Sequence, residues 1–119
     1  MYETENDISQ NRRVEISALL NQRLADAVDL QTQMKQAHWN VKGPHFIGLH
    51  ELFDKIDEAV EAYVDLIAER IVQLGGIAEG TARVAAGRSS AWMEGSSPQP
   101  YRLASASRLA PRQRAALAP

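Results

Sequence analysis

At 119 residues, with 45% hydrophobic and 24% charged side chains, the chain has room for one globular domain and no more. A net charge of -2 gives no electrostatic case for nucleic acid as partner, and the lack of cysteine excludes disulfides, thiolate catalysis and thiolate metal sites. No apolar run approaches the ~18 residues of a spanning helix, and the acidic start MYETENDISQ is the opposite of a secretory leader, so a cytoplasmic chain with no membrane contact is expected.

Residues 1–8 read as a loose acidic arm. From residue 9 to about 41 the spacing predicts one long helix, with Ser9 placed to cap its first turn. At 100° per residue, Ile16, Leu20, Leu24, Ala27, Leu30, Met34, His38 and Val41 fall on one stripe, which puts His38 on the inward face. The Lys-Gly-Pro run at 42–44 breaks this helix, because Pro44 has no N–H for a helix interior yet suits a new start. A second helix is expected from about Phe46 to Leu74. Its stripe is Phe46, Leu49, Phe53, Ile56, Val60, Val64, Ile67 and Ile71, and Gly75 with Gly76 ends it. Each helix, at ~30 residues, is ~45 Å long, and a short turn between them makes an αα-hairpin. The segment IAEGTARVAAGRSS adds a short helix or turn. Residues 91–119 change character: Ala, Ser, Pro and Arg dominate, and no helical period survives. That composition predicts a disordered or out-of-frame tail.

Beside the apolar stripe of the second helix runs a polar one. His50, Asp54, Glu61, Asp65 and Glu69 fall within ~100° of rotation. His50 and Asp54 are i,i+4 neighbours whose side chains can meet around one small object. Asp65 and Glu69 share the same spacing, and like charges there repel unless something positive lies between them. The plainer readings are a solvated flank for the acids and a hydrogen-bonded core residue for His38. Against them stands the combination of imidazoles and carboxylates on facing sides of two helices, a ligand set for iron, zinc or manganese. Asp54 and Asp65 share a face but stand ~16 Å apart along the axis, too far for one ion. One chain therefore carries two incomplete half-sites. An antiparallel two-fold mate crossing near Val60 would set His50 and Asp54 of one copy against Asp65 and Glu69 of the other, giving two equivalent sites.

HWNVKG, FIGLHELFD and DLIAERIVQLGG together resemble the Dps mini-ferritins, the starvation-induced DNA-protection proteins, over roughly residues 9–90. The resemblance implies an all-α, ferritin-like four-helix bundle, of which this chain holds the first long hairpin, 9–90, and lacks recognisable third and fourth helices. It implies a dodecameric hollow shell that oxidises ferrous iron, preferably with hydrogen peroxide, and stores the ferric product. Carried over residue by residue, His38, His50 and Asp54 are iron ligands from one subunit, and Asp65 and Glu69 come from its two-fold partner. Trp39 matches the tryptophan beside the family's centre, whereas His45 and Glu61 match no ligand position; His45 reads as a turn or cap residue. The resemblance stops near Ser90, as if the chain were truncated there, which puts the shell in question and leaves the two-fold contact intact. Two other readings stand beside this one: an inactive helical fragment that only dimerises, and a DNA-compacting protein. The second draws on Arg102, Arg108, Arg112 and Arg114 and is opposed by Glu3, Glu5 and Asp7 in the arm.

Overall fold

Two long helices and a short one carry residues 1–91, the part of the chain that the computed structural model describes. They are α1 (Gln10–Asn40), α2 (Phe46–Gln73) and α3 (Ala82–Arg88). The described residues hold no strand, so the all-α expectation stands. The tail expected over 91–119 lies, apart from Ala91, outside the described residues. No described helix is long and apolar enough to cross a membrane.

The hairpin closes on the stripes read from the sequence. Leu24, Met34, Val41, Val60 and Ile71 are buried, and Leu24 and Ile71 retain 1% and 0% of their exposure. Burying side chains of that size stabilises the hairpin by ~1.5–3 kcal/mol each. Phe46, at the start of the α2 stripe, keeps 39% of its exposure. A further row on α2 that the stripe does not include, Leu52, Tyr63 and Leu66, stays exposed.

Both turns follow their glycines. Between the long helices Gly43 adopts φ 115°, and the Phe46 amide closes the turn onto the Gly43 carbonyl at 3.1 Å. At the far end of α2, Gly75 takes φ 86°; the Gly76 amide reaches back to Ile71 O and the Gly75 amide to Val72 O, both at 2.9 Å. These two bonds satisfy carbonyls that the helix end would otherwise orphan. The start of α1 differs from expectation. Ser9 occupies the capping position, but its side chain makes no capping bond. Arg13 holds that corner instead. Buried to 8% exposure, it donates from Nη1 to Leu74 O at 3.0 Å and Tyr2 O at 3.3 Å, and from Nε to Ile8 O at 3.1 Å. The Tyr2 amide adds a bond to Gly75 O at 2.8 Å, so residues 1–8 lie against the end of α2.

The segment after Gly76 packs on α1. Asn21 Nδ2 donates to Ile77 O and its Oδ1 accepts from the Glu79 amide. Gln22 donates to Arg88 O, Asp26 accepts from the Ser90 amide and hydroxyl, and Gln33 donates to Ala91 O. Thr81 caps α3 by accepting from the Val84 amide at 3.4 Å. A polar row on α1 thus serves as the dock for a returning chain.

Candidate metal centre

His38 lies near the end of α1 and His50 just inside α2, so the Gly43 turn brings the two rings together. Their centroids are 3.6 Å apart with planes inclined by 20°, and Phe46 lies 5.1 Å from the His50 ring. Each ring is fixed by the other residue's backbone: Nδ1 of His38 donates to the His50 carbonyl at 2.6 Å, and Nδ1 of His50 to the His38 carbonyl at 2.8 Å. A carbonyl can only accept, so both Nδ1 atoms carry the proton. In the neutral rings the lone pair is then on Nε2, the nitrogen left for a ligand. Metal-bound imidazoles are oriented in this way, through a hydrogen bond on the nitrogen that does not ligate. This cross-bonding is also available to a purely structural histidine pair, but such a pair has no need of a carboxylate next to it.

Asp54 is that carboxylate, and it is already engaged. Lys35, one turn before His38 on α1, brings its ammonium to 2.5 Å from Asp54 Oδ1 and 3.6 Å from Asp57 Oδ2. The hydrogen bond from Lys35, helped by the Lys35 charge, holds the Asp54 carboxyl below its ordinary range against some desolvation. The same bond raises Lys35, so at neutral pH it stays an ammonium and an arriving cation must displace it rather than wait for it to lose a proton.

The remaining two candidates lie elsewhere. Asp65 and Glu69 are exposed farther along α2. Asp65 borders an open surface groove with Gln31, Glu58 and Glu61. Among the described residues no three His, Asp or Glu side chains of this one chain converge closely enough to hold an ion. The structure therefore brings His38 and His50 together, places Asp54 beside them under Lys35, and leaves Asp65 and Glu69 apart. Trp39 is 70% exposed near the rings, and His45 stands exposed at the α2 capping position without a side-chain cap bond. Lys35 and Asp57 were not singled out from the sequence. The signal was there for one of them: Asp57 follows Asp54 at i,i+3, a like-charged pair that calls for a cation as much as Asp65 and Glu69 do.

Comparison with known proteins gives the family. The family model of the ferritin-like domain matches residues 17–101, and the chain belongs to that family. Within it the chain falls among the Dps proteins. It is 46% identical over 80 residues to the DNA protection during starvation protein of Agrobacterium fabrum, covering 67% of this chain and 49% of the relative. The protein of the same name from Mycolicibacterium smegmatis is 42% identical over 74 residues, covering 62% and 40%. Among solved structures, Mycobacterium smegmatis Dps superposes with a TM-score of 0.76 at 34% identity, covering 85% of this chain and 57% of that one. DpsC from Streptomyces coelicolor gives 0.73 at 31% identity, covering 75% and 52%. The chain spans about half the length of the curated relatives it matches.

Proposed function

We propose that this chain forms ferrous-iron oxidation centres of the Dps type, each shared between two copies related by a two-fold axis. His38, His50 and Asp54 come from one copy, and Asp65 and Glu69 from the other. The observation that carries this reading is the reciprocal bonding of the two histidines, which directs both Nδ1 protons to backbone and reserves both Nε2 lone pairs. Iron is the substrate. Neutral imidazoles hold the ferrous ion without excess charge, and hard carboxylate oxygens favour the ferric product as charge accumulates. Two ferrous ions supply the two electrons that reduce one hydrogen peroxide to water, so no hydroxyl radical is released. The preference for peroxide, iron storage, protection against oxidative stress and a dodecameric assembly rest on the family resemblance, and a cytoplasmic setting rests on the composition.

A two-fold pair adds one geometric detail. Val60 is buried within its own chain, so it would not itself be the contact between two copies. Relatives carry DNA protection in their names. For this chain we assign protection to the removal of ferrous iron and peroxide rather than to direct DNA binding, because the described arm carries Glu3, Glu5 and Asp7 and is tied to the end of α2.

Anaerobic addition of ferrous iron to the full chain, followed by hydrogen peroxide, tests the reading. Saturable ferrous binding and oxidation of two irons per peroxide are expected. Oxidation no faster than in buffer would leave the inactive-fragment reading in its place.

A further inference from the structure

Asp57 belongs to no ligand set, yet it has an unusual environment. It keeps 7% of its exposure, and among the described residues its Oδ1 has no hydrogen-bond partner. A buried carboxylate oxygen left without a partner is costly unless a cation is at hand. Lys35 is that cation, but its ammonium sits on Asp54 at 2.5 Å and stands off from Asp57 Oδ2 at 3.6 Å. Asp54 and Asp57 are i,i+3 neighbours on α2, so the same lysine on α1 faces both.

Resting on the metal-centre reading above, we propose that Asp57 is a positioning residue that takes over the Lys35 ammonium when Asp54 turns its carboxylate to a divalent cation. An ammonium left beside a doubly charged ion would be repelled by it. The transfer is short: from 3.6 Å, a shift of under ~1 Å brings the ammonium to the length of a charge-assisted hydrogen bond. It exchanges one acid partner for another, so the lysine is never stranded. The buried carboxylate gains a close charged donor on Oδ2. Lys35 and Asp57 together make a gate that is closed by the lysine until an ion of higher charge arrives. Asp57 touches neither the ion nor its ligands; its effect runs wholly through Lys35, and that dependence is what a test must read.

The probe is zinc, which is redox-inert, titrated calorimetrically into the full chain and its Asp57→Asn, Lys35→Met and doubly substituted forms. Removing an outer partner of a metal ligand typically weakens binding by about 10–100-fold, and Asp57→Asn is expected to fall in that range. Lys35→Met should bind more tightly than the parent, and adding Asp57→Asn to it should change nothing. Parent-like binding by Asp57→Asn, or an undiminished loss in the Lys35→Met background, overturns the proposal. A crystal structure of the parent chain with zinc needs no variant. Lys35 Nζ bonded to Asp57 supports the transfer, and Nζ still on Asp54 or out in solvent refutes it. A parent chain that binds no zinc would count against the metal centre itself, and the gate would fall with it.

Discussion

The two ends of the helical hairpin use their polar groups in opposite ways. At the Gly75 end every strong donor of Arg13 that the structure assigns turns inward, onto carbonyls of Tyr2, Ile8 and Leu74, and Ile71 beneath is fully buried. At the His38 end the backbone takes only one nitrogen of each ring, Trp39 is exposed, and the nearby carboxylate is held by a partly exposed lysine. One end is closed and holds the fold together. The other is held in shape through one nitrogen of each ring and one lysine-bound carboxylate, the groups that the proposed centre uses.

Substitutions at the two ends should therefore separate stability from binding. Ile71→Ala opens a cavity at the closed end and is expected to lower unfolding free energy by ~2–5 kcal/mol in a urea titration. Trp39→Ala, at the open end, should stay within ~0.5 kcal/mol of the parent; a loss as large as that of Ile71→Ala would show that the open end also carries the fold. Next in size, Asp65→Asn combined with Glu69→Gln should weaken ferrous or zinc binding more than about 100-fold, since even an outer partner is worth 10–100-fold. Helicity by circular dichroism should be unchanged, and unaltered binding would remove both residues from the centre. Arg13→Met should cost roughly 2–3 kcal/mol, through carbonyls left without a charged donor, while leaving metal affinity alone.

The smallest effect is confined to acid. The Ser90 amide above all, with the Ser90 hydroxyl, the Arg23 charge and the Gln22 amide, holds Asp26 below its ordinary 3.8 against an opposing desolvation. Its contribution is complete above that value and is lost as pH falls through the lower folded one. Below pH 3.8 the 77–91 segment should loosen from α1, and Asp26→Asn should remove that part of the pH dependence. Hydrogen exchange at Ser90 and Ala91 reads it; protection that does not change across this range would exclude the contribution.

The long elements were legible because an apolar stripe of seven residues on α1 and one of eight on α2 repeat with the helical period, and because glycines sit where positive φ is required. Four candidate ligands were legible for a related reason, as two i,i+4 pairs on one face of α2, and His38 from its place on the α1 stripe. Apart from Asp57, whose i,i+3 spacing from Asp54 is local, what escaped is non-local. Arg13 reads as a surface charge until Leu74, 61 residues away, is placed against it. Asn21, Gln22 and Gln33 look solvated until the chain returns along α1. Ser9 looked like a cap because its type and position fit, but the Arg13 network took over the corner. Lys35 lies three residues before His38 on the same helix, and only the hairpin geometry sets it on Asp54 of the neighbouring one.

If two copies complete each centre, mixing two half-disabled forms should restore it. A form with His38→Ala and His50→Ala has lost one half-site, and a form with Asp65→Asn and Glu69→Gln has lost the other. Neither alone should bind ferrous iron. Unfolded together and refolded as a mixture, they should regain binding, because each mixed pair contains one intact centre beside one doubly disabled one. A mixture that binds no more iron than its separate components would contradict the account.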